Sequence, residues 1–187
     1  MRKFILIFCL SIFFASCSDE VLPKPKGYLS LKYPKNSYKN LELQRPYFFE
    51  VSTFAKIKNE RNNWMKIEYP KLKATLNITY RPIENNLKEL VTESEKLVYK
   101  HAVKAEEIIT KNFEDFEKRV FGSMQEISGN AASQIQFHLT DSTNNFIRGA
   151  LYFYAKPNYD SILPAVNYIK RDILHLIETF SWKEESH

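Results

Sequence analysis

Reactive side chains are few in this chain, and their spacing suits neither a metal nor a nucleophile. Four histidines stand at His101, His138, His175 and His187, with no pair at the close helical spacing that grips zinc. HExxH and GxSxG strings are absent, and four glycines in all are too few for a phosphate-cradling loop. Ser133, His138 and Asp141 supply the residue types of a triad, but Asp141 opens a turn-forming string and His138 alternates away from its apolar neighbours. The only cysteines are Cys9 and Cys17, both near the N-terminus. If Cys9 leaves with a leader and Cys17 is lipidated, no thiol remains for a disulfide, a thiolate metal site or catalysis. The expectation is a non-enzymatic protein with no metal and no cofactor.

One polar constellation remains. Ile135, Phe137 and Leu139 alternate with Gln134, Gln136 and His138, the period of a half-buried strand. With the following strand in register, Gln136, His138, Arg148, Tyr152 and Tyr154 share the sheet face opposite Phe137. Such an aromatic and polar face can meet a partner or a glycan, and it can equally lie beneath a helix, which is the more ordinary outcome.

The elements that position these residues follow from turn chemistry. Val120–Ala155 reads as a three-stranded antiparallel meander. Gly129-Asn130 is a two-residue type II′ hairpin signal, which would set Ser128 opposite Ala131, Met124 opposite Ile135 and Gly122 opposite Phe137. Asp141–Asn145 reads as a five-residue loop that sets Thr140 opposite Phe146 and Gly149 opposite Phe137. Phe137 is thus expected between two glycines whose missing side chains make room for its ring. Upstream, Tyr28–Tyr33 and Tyr47–Val51 read as strands and Pro34–Pro46 as loop. Trp64–Tyr69 and Leu72–Tyr80 form a further pair about Pro70-Lys71, the second with clean one-face alternation. Asn86 and Glu89 resemble a capping box, opening a helix whose apolar spacing runs through Ala102 and Ala105 to an end between Glu107 and Lys111. A second helix, capped by Asp160 or Ser161 with Pro164 in its first turn, carries the stripe Ile162, Val166, Ile169, Ile173, Ile177 and Phe180. The predicted class is α+β, a largely antiparallel sheet with two main helices, in an order that resembles a PsbP/Mog1-type sandwich.

The chain opens with a short basic stretch, Met1-Arg2-Lys3, and an uncharged, mostly apolar run at Phe4–Phe14 that suits a signal peptide and is too short to span a bilayer. Phe14-Ala15-Ser16-Cys17 has the small residues of a bacterial lipobox, with Phe14 where Leu is usual. The organisation read from this is a signal peptide at 1–16, a lipidated Cys17 with a tether to residue 27, a domain at 28–183 and a tail at 184–187. Acyl chains on Cys17 would hold the protein to membrane lipid, each buried methylene contributing about 0.8 kcal/mol. The tether contains Pro23-Lys24-Pro25-Lys26, extended and stiff. Its lysines, with Lys32 and Lys35, are placed either to touch anionic head groups or simply to be solvated. The chain has 187 residues, 44% of them hydrophobic and a net charge of +5, enough for one domain with a real core. Mixed rather than blocked charge, together with an export signal, argues against nucleic acid as a partner.

Several long strings also resemble a known family. QFHLTDSTNNFIRGALYF (Gln136–Phe153), KPNYDSILP (Lys156–Pro164) and LIETFSWK (Leu176–Lys183) are similar to the gliding-motility lipoprotein GldD family of Bacteroidota, as are PKPKGYLSLKYP (Pro23–Pro34), YPKLKATLNITYRPIENNL (Tyr69–Leu87) and VYKHAVKAEEI (Val98–Ile108). Where that family often places a basic residue or His before the Phe at Phe146, this chain has Asn144 and Asn145. The resemblance implies an envelope lipoprotein of the outer membrane, needed for gliding and tied to type IX secretion of surface adhesins. Its partners would be other gliding or secretion envelope proteins. Ser18-Asp19-Glu20 is similar to surface-export signals of such lipoproteins and also suits a plain solvated spacer. The competing class is an envelope enzyme or a glycan- or small-ligand-binding lipoprotein.

Overall fold

Alternating apolar residues dominate one face of every central strand, and this builds the molecule around a single large sheet. A computed structural model describes residues 33–41, 43–154 and 158–183. In chain order the elements are β1 (Tyr38–Asn40), β2 (Tyr47–Phe48), β3 (Glu50–Ser52), β4 (Lys56–Asn59), β5 (Met65–Tyr69), β6 (Ala74–Pro82), α1 (Leu87–His101), β7 (Ala105–Asp115), β8 (Val120–Gly129), β9 (Ile135–Thr140), β10 (Asn145–Phe153), α2 (Tyr159–Thr179) and β11 (Ser181–Trp182). The seven-stranded antiparallel sheet runs β4-β5-β6-β10-β9-β8-β7, and two small ladders, β1-β3 and β2-β11, accompany it. This is an α+β sandwich, as the order of elements predicted.

The sheet has two unlike faces. Met65, Ile67, Leu76, Ile78, Met124, Ile135, Phe137, Leu139, Ile147 and Leu151 are almost wholly buried, and they pack with Val166, Ile169, Ile173, Leu176 and Ile177 of α2. Side chains alternate across a pleated strand, so the intervening residues point the other way, toward α1. They are mostly polar: Ser123, Gln125, Gln136, His138, Thr140, Arg148, Thr75, Asn77 and Thr79. The apolar contact of α1 is correspondingly small, a cluster of Val98, Ile127 and Ala131 with Ile108 packed beside it.

The β9–β10 register is the predicted one, with Thr140 opposite Phe146 and Phe137 opposite Gly149. Asp141 explains why. Its Oδ1 accepts from the backbone amides of Thr143, Asn144 and Asn145 at 2.8–2.9 Å, and its Oδ2 accepts from Asn145 Nδ2 at 2.7 Å, which locks the loop. A Cβ at Gly149 would fall inside the Phe137 ring, so here glycine does make room for the aromatic.

The β8–β9 register differs from expectation by two residues. Phe137 faces Met124, and Gly122 faces Leu139. Gly129 does carry the predicted positive φ, +89°, but the loop spans residues 130–134 rather than two residues. It is closed by Ile127 N–H donating to Gln134 O (2.8 Å) and by Gln134 Nε2 donating to Ala131 O (2.8 Å). A side-chain bond inside the loop thus outcompeted the tight turn. Because strand side chains repeat every two residues, a two-residue shift keeps each one on its predicted face. Gly122 therefore does not flank the ring. A Cβ there would collide with the backbone of His138, so its role is close strand approach.

Other expectations also need correction. Helix α1 ends at His101, and the chain re-emerges as β7, an edge strand solvated along most of its length. Three residues of the expected loop 34–46 form β1 against β3. Asn86 makes no side-chain cap; its Oδ1 accepts instead from Glu84 N–H. Helix α2 begins at Tyr159 after Asn158, without a side-chain cap, so Pro164 lies beyond the first turn. Of the strand expected at Tyr28–Tyr33, only Tyr33 is within the described residues, and it stacks on Tyr168 in extended chain. The signal, Cys17, the tether and the tail likewise lie outside them.

Candidate functional site

Strands β9 and β10 bring the predicted face together beneath α1. Gln136 and His138 are buried, Arg148 and Tyr152 are half-buried, and Tyr154, just beyond β10, is 68% exposed. By strand register Gln136, His138, Arg148 and Tyr152 share one side of the sheet, and they form a covered network rather than an open platform; Tyr154 lies past the end of the strand. An Arg148 Nη2 proton goes to Gln136 Oε1. Gln136 Nε2 in turn lies 3.3 Å from His101 Nδ1, which accepts in the tautomer protonated on Nε2. His101 meets Tyr152 edge-on at 5.9 Å between centroids. His138 stacks on Phe146 at 5.5 Å. Its Nδ1 is 3.5 Å from Ser123 Oγ, which also accepts from Gln125 Nε2 at 2.8 Å.

The electrostatics follow from burial beside one cation. Burial, and then the charge of Arg148, hold His138 down to about pKa 4. His101 is lowered by the same two causes, partly offset by its bond to Gln136. Both rings are therefore neutral at pH 7. Burial also pulls Arg148 downward while Tyr152 and Glu93 act the other way, and a guanidinium stays protonated throughout. Among the described residues no carboxylate forms an ion pair with Arg148, and its Nε is buried without a hydrogen-bond partner.

The triad arrangement does not assemble. Ser133 Oγ donates to Ile135 O, Asp141 is engaged by its own loop, and His138 stacks on Phe146. Burial raises the Asp141 pKa, but the hydrogen bonds from Asn145, Thr143 and Asn144 outweigh it and leave a carboxylate below its usual range. No group of three His, Cys, Asp or Glu able to hold a metal occurs among the described residues. No described helix is long and apolar enough to cross a membrane.

Sequence reasoning missed a second region. An open cleft of about 810 Å³ lies where the end of β6, the β7–β8 turn, the Asp141 loop and β11 converge. Its cations are held by oxygens of the fold. Lys118 Nζ donates to Glu178 O (2.9 Å), Lys183 Nζ to Leu43 O (3.2 Å), and Arg119 Nη2 to Thr143 Oγ1 (3.0 Å). Trp182 Nε1 donates to Arg119 O at 3.0 Å, and Arg119 itself sits at φ +52°. The signal was available in Lys118-Arg119 and in LIETFSWK, but only the tertiary fold brings the two together.

Fold and site thus define a two-faced α+β sandwich with a polar network beneath α1 and a cleft lined by three cations and two carboxylates. A family-wide comparison is more specific: the profile described as "Gliding motility lipoprotein GldD" matches residues 18–182. The chain belongs to that family, and is a gliding-motility-related lipoprotein of the cell envelope, held by a lipid anchor. No curated protein sequence matches it.

Proposed function

We propose that this lipoprotein is a non-enzymatic accessory or assembly component of the gliding apparatus. It is anchored through acylated Cys17 in the outer membrane and needed for type IX secretion of surface adhesins. The observation that carries this reading is a family match that covers every described residue but Lys183 and begins at the residue after Cys17. The cleft supports it as a surface for other envelope proteins, because Arg119 and Lys183 are fixed by hydroxyl and carbonyl oxygens and keep their charge available to a partner, while Lys118 shares its charge with Asp115. Clean deletion should abolish spreading and adhesin display while growth continues, and Cys17→Ala should release the protein from membranes and end acyl labelling. Normal gliding in the deletion strain would refute the role, and continued fatty-acid incorporation in the variant would refute the anchor.

A further inference from the structure

A half-open pocket of about 170 Å³ lies between α1 and the polar sheet face. Thr79, Arg81, Glu93, Ser94 and Arg148 are its polar lining, and Leu90, Leu97 and Phe146 stand among its apolar walls with Trp64. Arg81 is already paired with Glu93 at 2.9 Å, and both lie in solvent at the mouth. Arg148 is different. Its side chain is half-buried, bonds the neutral Gln136, and keeps an Nε that is buried without a hydrogen-bond partner. A half-buried cation with no carboxylate in direct contact carries part of its desolvation cost uncompensated, and an anion seated beside it would offset that cost. With the Arg81–Glu93 pair cancelling, the net charge offered to the pocket is that of Arg148.

We propose that this pocket is a binding site for a small organic carboxylate, with an aryl or short alkyl group between Leu90, Leu97 and Phe146 and its carboxylate on Arg148. Size and chemistry select that class. Drug-sized ligands fill roughly 300–1,000 Å³, so this space takes a single ring or short chain. A planar guanidinium matches a planar carboxylate in two parallel hydrogen bonds, one of which would satisfy Nε. The acid has two possible sources, a free metabolite-sized acid or the C-terminal carboxylate of a partner chain. The neutral state of His101 and His138 gives the site its own reporter, since an anion beside Arg148 would offset the charge that, after burial, depresses both rings.

The test is NMR titration of the mature chain, carrying Cys17→Ala, with benzoate, its neutral isostere benzamide, and a short peptide ending in phenylalanine with a free carboxylate. Benzoate should shift α1 and β10 resonances and raise the pKa of both histidines, while benzamide should bind at least about 10-fold more weakly, the equivalent of 1.4 kcal/mol. Arg148→Gln should abolish benzoate binding and Arg148→Lys should retain part of it. Leu97→Trp, which fills the pocket and leaves the arginine, should block binding without altering charge. Binding of benzoate alone assigns a free acid, and binding of the peptide as well assigns a chain terminus. Equal binding of benzoate and benzamide, no binding of either, or shifts confined to the Lys118–Arg119 cleft would overturn the proposal.

Discussion

Helix α2 buries eight side chains against its face of the sheet, six of them aliphatic, whereas α1 buries only Leu90, Ser94 and Val98 against the other. Apolar burial stabilises in proportion to area, about 25 cal/mol per Å², so the α2 side holds most of the folding free energy. The α1 side is closed by hydrogen bonds among Gln136, Arg148, His101, Ser123 and Gln125, each of which adds only about 0.5–1.5 kcal/mol net and is costly if left unmade. One sheet therefore carries a rigid core on one side and a polar, cavity-bearing interface on the other. The proposed carboxylate site falls on the second side, where polar groups are positioned and space remains.

The largest expected effect is on the core side. Phe137 is fully buried against the α2 cluster, so Phe137→Ala should destabilise by about 3–5 kcal/mol in urea unfolding. A cost below about 1 kcal/mol would mean that the apolar face is not what holds the domain together.

Acid should act from the other side. His138 has a folded pKa below its unfolded value, so between about pH 6.5 and 4 the unfolded state binds the proton and the folded state does not. Stability is full above that window and falls as pH drops through it, by a total on the order of 3 kcal/mol. His101 works in the same direction, and Arg148 is the charge facing both rings. His138→Gln should flatten the stability profile over this window without removing its slope entirely. An unchanged profile in the variant would detach acid sensitivity from the polar face.

Gly149→Val sharpens the comparison by overpacking instead of emptying. The added side chain meets the Phe137 ring directly, and a cost of about 1–3 kcal/mol is expected. Phe137→Leu should relieve part of that cost, giving a non-additive double-mutant cycle. Strict additivity would show that the ring and the glycine are not coupled.

What the sequence made legible follows the same division. The Asp141 loop could be read because its chemistry is local, one carboxylate capturing three following amides, and the register of Phe137 on Gly149 came with it. The loop after Gly129 could not, because its closure uses Gln134, a residue with no turn signature, reaching back to Ala131. Strand β7 was hidden for another reason. It is an edge strand solvated on both faces, so it has no alternation, and Ala102 and Ala105 happen to continue the helical spacing of α1. Periodicity alone placed Gln136, His138, Arg148 and Tyr152 on one side of the sheet. That Gln136 and His138 lie under a helix while Tyr154 does not depends on where α1 docks, which is a tertiary fact. Lys118, Arg119 and Lys183 escaped notice because isolated surface cations carry no pattern until the fold gathers them.

The smallest effect should come from α1 itself. Val98 fills a cluster of only three buried residues, so Val98→Ala should cost about 1–2 kcal/mol globally, less than a comparable truncation at Ile169 or Ile173 in α2. Its clearer consequence is local. Few apolar contacts and a polar interface mean that α1 can open at lower free energy than the core, and amide exchange in Leu87–His101 should be faster than in Tyr159–Thr179. In Val98→Ala the exchange of α1 should accelerate by about 5- to 30-fold while α2 changes only as much as global stability does. If the two helices exchange at the same rate in the parent protein, they open as one unit. The sheet would then not separate a rigid side from a yielding one.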